Sequence, residues 1–286
     1  GTLTKNEMTV QALLAGATVF DVDGAGYDPV GHIRDDATGS KVPGVEPPGE
    51  EMLPQADHST LSTQDATLSE LPDLEALLTA GALCNDAQHV ERDGRWTITG
   101  DPTEGALLVA AKKAGLDPTE LNEVFPRVDA IPFESERQFM ATLHRVPSGA
   151  DCVIYVKGAV EKTLRLCDRM LAADGSEQAF DPQAVLDRVD AFAERGLRVL
   201  AFARKPAPAG AVSLAERDVE RGLVFLGLQA MMDPPRPEAM AAVRACQSAG
   251  IAVKMITGDH AGTARAIAAQ IGLNGRRHHE NGALIA

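Results

Sequence analysis

The sequence lacks any run of about 18 consecutive apolar residues, the length a helix needs to cross a bilayer, so no membrane span is expected within it. It also lacks a basic surplus: 27 Lys and Arg stand against 41 Asp and Glu, a net charge of −14. Phosphate backbones are bound by excess cations, so nucleic acid is excluded as the expected partner. A nucleotide is not, because it needs only a few local donors. Cysteine is scarce: Cys84, Cys152, Cys167 and Cys246 lie far apart, without metal-ligand spacing. They are expected to be buried free thiols in a reducing compartment. No signal peptide opens the chain. It begins with Gly rather than Met, as expected of a processed product or an excised fragment. Its 44% hydrophobic and 24% charged residues suit an ordinary soluble globular protein, long enough for one large domain or two smaller ones.

The stretch from about 35 to 70 is rich in Asp, Glu, Gly, Pro, Ser and Thr, and Val42-Pro43-Gly44-Val45-Glu46-Pro47-Pro48-Gly49 cannot hold a helix or a central strand. It predicts a partly mobile surface loop. Beyond it, Leu74, Leu77 and Leu78 recur at helical spacing behind Pro72 and Asp73. Asp101-Pro102-Thr103-Glu104 predicts a second helix start, with Asp101 as N-cap, Pro102 in the first turn and Glu104 reaching back as in a capping box. Ile131 to Val146 and Cys152 to Val156 read as strands joined by a turn at Pro147-Ser148-Gly149. A helix is expected from Asp181-Pro182 through Val185, Val189 and Phe192 to a stop at Gly196, then a strand over Leu197–Ala203.

The last sixty residues change rhythm: helix (Met240, Val243, Cys246), strand (Ile251 to Ile256), turn (Thr257-Gly258-Asp259), helix (Ala264, Ile267, Ile271). That succession belongs to a parallel α/β sheet, whereas the hairpin-like middle reads as α+β. Two architectures in one chain imply two domains. Thr257-Gly258-Asp259, where a strand hands over to a helix, would suit a phosphoryl group; it would equally serve as an ordinary turn with Asp259 as cap.

Asp233-Pro234-Pro235-Arg236, followed after about twenty residues by Met255-Ile256-Thr257-Gly258-Asp259-His260, is similar to the hinge and phosphate-binding motifs of P-type cation-transporting ATPases. The opening Gly1-Thr2-Leu3-Thr4-Lys5-Asn6 resembles the tail of their Asp-Lys-Thr-Gly-Thr-Leu-Thr signature. Lys157-Gly158-Ala159 resembles their nucleotide-pocket motif, and Gly100-Asp101-Pro102-Thr103-Glu104 the helix start beside that pocket. The motifs stand in the family's order and cover the chain from Gly1 to about Leu273.

The resemblance implies an antiparallel-sheet nucleotide-binding domain, residues 12–227, inserted in a partial haloacid-dehalogenase-like Rossmann domain, the phosphorylation domain, made of residues 1–11 and 228–286. Phe133 would stack on adenine, Glu104 would lie near the adenine amino group, Lys157 and Gly158 would line the pocket, and Arg198 would reach the phosphates. Asp233 and Arg236 join this set through the hinge motif. The family often has Lys where Gln138 stands, and some members carry an Arg near Ser135, so Arg137 and Arg198 are expected to carry more of the phosphate charge. The implied cofactors are ATP and, in an intact pump, Mg²⁺; the implied partners are transmembrane and actuator domains of the same chain, on the cytoplasmic side of a membrane. The phosphorylated aspartate would lie three positions before Gly1, and a downstream Gly-Asp-Gly-x-Asn-Asp segment is also absent, leaving Thr2, Thr257, Gly258 and Asp259 as supporting remnants. The chain is therefore expected to bind ATP without turning it over, and to be a soluble monomer. The hinge and phosphate motifs look most like the type II, calcium-pump-like group, which makes Ca²⁺ the leading expected ion, with Na⁺, H⁺, Mg²⁺ or Mn²⁺ as alternatives. His278-His279 has no further ligands nearby and predicts no metal site, and Trp96 is expected to pack within the nucleotide domain.

Two other readings remain open. Thr18-Val19-Phe20-Asp21-Val22-Asp23-Gly24 looks like the nucleophile motif of haloacid-dehalogenase-type phosphatases, with Asp21 as nucleophile and Asp23 as general acid. The run continues with Ala25-Gly26-Tyr27 instead of the Thr expected there. A standalone nucleotide-sensing module would carry the same fold and pocket.

Overall fold

Leu223–Met232 is apolar at nearly every position and buried at all of them, as a strand covered on both faces must be. It is the hub of the sheet. The computed structural model describes residues 3–24, 26–42, 67–147, 151–179, 181–256 and 261–273. Thr2, Thr257, Gly258, Asp259, His278, His279, the Ser148-Gly149 turn and much of the 35–70 stretch (43–66) lie outside the described residues. In chain order the elements are β1 (Thr9–Ala15), β2 (Thr18–Val22), β3 (Ile33–Asp35), β4 (Lys41–Val42), α1 (Pro72–Leu83), β5 (Gln88–Arg92), β6 (Arg95–Thr99), α2 (Pro102–Lys113) and α3 (Pro118–Val124). There follow β7 (Arg127–Ile131), β8 (Phe139–Arg145), β9 (Cys152–Gly158), α4 (Val160–Leu166), β10 (Cys167–Leu171), β11 (Glu177–Gln178), α5 (Pro182–Glu194), β12 (Arg198–Ala207), β13 (Leu223–Met232), α6 (Pro237–Ser248) and α7 (Ala261–Gln270).

The main sheet runs β4-β3-β2-β1-β13-β12-β9-β8-β7, antiparallel throughout. Along one edge of β13, β10 pairs parallel with the first half and β1 antiparallel with the second. The handover falls at Gly227, whose φ of +149° and contact with the Leu14 carbonyl leave no room for a side chain. The expected large antiparallel sheet is therefore present, in a mixed α/β chain.

One face of the sheet is covered by α1 and α2. Leu74, Leu77, Leu78 and Leu107 pack there against Met140, Tyr155 and Phe202. Asp101 caps α2 with its carboxylate, Pro102 fills the first turn, and Lys112 and Lys113 complement the dipole in the last. The opposite face is covered in two parts: by α4 and α5 (Val160, Leu164, Val185, Phe192) and by the segment around Ala211, Leu214 and Val219. Gly196, at φ +77°, ends α5 as its sequence predicts. Trp96, on the separate β5–β6 hairpin, stacks on His89 at 4.4 Å with the Lys112 ammonium 4.7 Å from its ring. All four cysteines are free; Cys84 and Cys152 are buried, Cys167 and Cys246 partly so.

Two expected strands differ from the observed ones. The predicted run from Ile131 to Val146 is broken by a loop, Pro132–Gln138, between β7 and β8, because Gln138 takes a left-handed φ of +62° that a strand cannot contain. Ile251–Ile256 forms no strand, and Ile256 is 97% exposed. A parallel strand needs hydrogen-bonding neighbours, and none of the described strands lies beside it.

His144, buried in β8, bonds the Phe125 carbonyl through Nδ1 at 2.9 Å, so Nδ1 carries the proton. Burial, with the Arg127 charge acting the same way, pushes its pKa down to about 4. Because the folded pKa lies below the unfolded one, this contribution to stability is complete above pH about 6.5 and is lost as pH falls towards 4. Urea unfolding should show stability falling by up to about 1.4 kcal/mol per pH unit across that window, with the slope reduced by that amount in His144→Gln.

Candidate functional site

Lys157 stands near the end of β9, directly between Met140 of β8 and Phe202 of β12, and so shares the sheet face that α1 and α2 cover. A lone ammonium there would be costly to desolvate. Its Nζ donates to Glu104 Oε1 at 2.8 Å, with only 7% of the Lys157 side chain and 16% of that of Glu104 exposed. The other Glu104 oxygen accepts the Asp86 N–H at 2.9 Å. Glu104 therefore does not reach back to its own N-cap as the capping-box pattern predicts: the ammonium and the Asp86 amide hold its carboxylate instead. Asp101 accepts from the Thr103 and Glu104 amides. Burial pushes the Asp101 carboxyl up, but those hydrogen bonds and the nearby Arg198 charge outweigh it and hold the group below the usual range.

The loop Pro132–Gln138 lies against the end of β9. The Gln138 N–H donates to the Glu134 carbonyl at 2.7 Å, and the Gln138 carbonyl accepts from the Ala159 N–H at 2.9 Å. This brings the loop so close to Gly158 that a Cβ would sit 2.7 Å from that of Phe139. Gly158 is thus required for the approach. Phe133, in the same loop, is 56% exposed. Arg198 begins β12, exposed, with the side-chain parity of Leu200 and Phe202 and hence on the Lys157 face. It pairs in register with Met231, close in sequence to Asp233 and Arg236.

Asp233 and Arg236 join a different feature. Asp233 Oδ1 accepts the Glu7 N–H at 3.2 Å, and Arg236 Nε donates to the Thr4 carbonyl at 2.7 Å. The Lys5 and Arg236 amides bond the Pro234 and Leu3 carbonyls at 3.0 and 2.8 Å, around an antiparallel bridge between Thr4 and Pro235. The two chain segments therefore cross as a short paired connector below the sheet. Arg137 is likewise apart from Lys157: its guanidinium meets Glu216 and Glu134.

Three supporting residues went unread in the sequence. Asn85 donates to the Gly81 and Glu104 carbonyls at 3.0 and 2.9 Å, tying the end of α1 to the start of α2. Arg127 donates to the Leu83 and Asn85 carbonyls and pairs with Asp86 at 2.6 Å. Apart from the Asn85–Gly81 bond, these contacts are long-range. Their only local sign is Asn85-Asp86 at a helix end, a usual place for side-chain capping.

Asp21, the alternative nucleophile, lies in β2 between antiparallel β1 and β3 and pairs with Arg195 at 3.2 Å. Asp23 pairs with Arg34 at 3.0 Å and accepts the His32 N–H at 2.6 Å. Neither stands at the carboxyl end of a parallel strand, where an α/β active site forms.

A family model described as "P-type ATPase, cytoplasmic domain N" matches residues 73–238. The chain belongs to the cation-transporting P-type ATPases. It is 47% identical to a cation-transporting ATPase, pma1, of Synechocystis, and 46% identical to a probable cation-transporting ATPase F of Mycobacterium tuberculosis, over 96% of its own length in each case. It is 34% identical to a calcium-transporting ATPase of Bacillus subtilis, again over 96% of the chain. The match spans 27–28% of the length of these relatives. Among the described residues no helix is long and apolar enough to cross a membrane.

A buried ion pair and an exposed aromatic respond oppositely to truncation. Glu104→Ala should destabilise the chain by about 3 kcal/mol, since it strands the Lys157 ammonium, whereas Phe133→Ala should stay within about 0.5 kcal/mol of wild type. Chemical denaturation of both variants checks this.

Proposed function

We propose that the groove between α2, the end of β9 and the Pro132–Gln138 loop binds ATP, as the nucleotide-binding part of a cation pump. The observation that carries this is the pairing of a buried, fixed Lys157–Glu104 couple with an exposed aromatic, Phe133, on a loop pinned against Gly158. An exposed aromatic on an ordered loop offers a stacking face to a planar base. The Glu104 carboxylate keeps free lone pairs after its two bonds and can accept from an exocyclic amine. Arg198, on the same face, supplies charge for the phosphates on the way to the connector of Thr4 and Arg236.

In this reading the nucleotide domain is inserted in a haloacid-dehalogenase-like phosphorylation domain, to which the segments flanking the connector belong. We place the boundary at the connector itself, Leu3–Glu7 with Asp233–Arg236, a little outside bounds at 11 and 227, because β1 is paired along nearly its whole length with the second half of β13. Thr2, Thr257, Gly258 and Asp259 would act there with the phosphoryl group. Mg²⁺ would accompany the phosphates and assist transfer to an aspartate. Glu104 is committed to Lys157 and the Asp86 amide, and none of the groove residues is assigned as a ligand for the ion.

The transmembrane and actuator domains of the whole pump are the proposed partners, at the cytoplasmic face of a membrane, with the chain itself monomeric. Ca²⁺ is the proposed ion, supported by relatives named as calcium-transporting. Calorimetric titration with ATP tests the pocket. Phe133→Ala should weaken binding about tenfold, the loss of one aromatic stack with its buried area, while the fold stays intact; unchanged affinity in Phe133→Ala would remove the groove from consideration.

A further inference from the structure

Arg137 is the cation closest in sequence to Phe133, yet its guanidinium is already occupied. Nε and Nη2 both donate to Glu216 Oε1, at 3.0 and 2.7 Å, Nη1 donates to the Pro132 carbonyl at 2.8 Å, and Glu134 Oε2 lies 3.3 Å from Nη2. Only 15% of the Arg137 side chain is exposed. Phosphate brought here would meet two carboxylates and few free donors.

The direction of the side chain is as telling. Met140, Lys157 and Phe202 share one face of the sheet, so Phe139, Val156 and Ala203 point to the other. The Arg137 guanidinium lies 5.9 Å from the Phe139 ring, on that second face, away from Lys157, Glu104 and Arg198. Glu216 is firmly placed to receive it. The segment carrying Glu216 is tied to β7 by the Leu214 N–H on Asp129 (2.8 Å) and to β12 by Lys205 on the Asp218 and Arg221 carbonyls (3.1 and 2.9 Å). Val219, one turn on, is buried in the same cluster as Phe139.

We propose that Arg137 is a positioning residue and that Glu216 is its partner: together they clamp the Pro132–Gln138 loop from the sheet face opposite Lys157 and so set where Phe133 stands. The inference rests on the ATP reading for its consequence, but the clamp itself does not. A phosphate ligand discriminates nucleotides by phosphate number; a clamp on the base-stacking loop does not.

The test titrates the chain with ATP, ADP and AMP and follows amide hydrogen exchange at Gln138 and Ala159, whose bonds hold the loop. Arg137→Gln and Glu216→Gln should each weaken all three nucleotides by a common factor, roughly two- to fivefold, the span of an ion pair whose carboxylate is exposed. Both should speed exchange at the two amides. Weaker ATP binding with AMP spared in Arg137→Gln, or unchanged or tighter binding in Glu216→Gln, would overturn the proposal, as would unaltered exchange in both variants. If the wild-type chain binds none of the three nucleotides, the ATP reading fails, and exchange at Gln138 and Ala159 still decides the clamp.

Discussion

Everything at the groove depends on one ammonium and one carboxylate withdrawn from water together. Lys157 is on a strand with neighbours on both sides and cannot turn to solvent without leaving its register. Glu104 is in the first turn of α2, where the helix dipole favours an anion. Their 2.8 Å contact fixes the start of α2 over the end of β9. Such a pair adds little net stability over an apolar substitute, yet it is severe on any arrangement that separates it. Its worth is in specifying one geometry.

The second constraint is topological. The same chain passes through the connector twice, at Leu3–Glu7 and at Asp233–Arg236, and its two passes continue into β1 and β13, adjacent in the sheet. Arg198 pairs with Met231 on the far side of β13, so the groove and the connector are joined through a single buried strand.

Local signals carried much of this into the sequence. Asp-Pro pairs at 101 and 181, the leucine spacing of α1 and the glycine after α5 marked helices that the structure contains. Lys157-Gly158 stood out through its resemblance to a family motif, and the structure puts the pair at the end of β9, against the Pro132–Gln138 loop. Legibility failed where partners are distant. Glu104 looked like a capping-box residue because nothing nearby in sequence reveals Lys157, 53 positions on. Nothing near Arg137 in sequence reveals its partner Glu216, 79 positions away. Ile251–Ile256 read as a buried strand from its hydrophobicity, but a strand is a property of its neighbours, and none of the described strands pairs with it.

The central claim is that the groove at Lys157 takes the nucleotide, and backbone amide shifts in a ¹⁵N–¹H spectrum recorded as ATP is added test it most directly. The account predicts shifts that saturate together at Glu104, Lys157, Gly158 and the amides of the Phe133 loop, fading towards β2 and β3. Shifts centred on Asp21, Asp23, Arg34 and Arg195, with Lys157 and Glu104 unmoved, would contradict it.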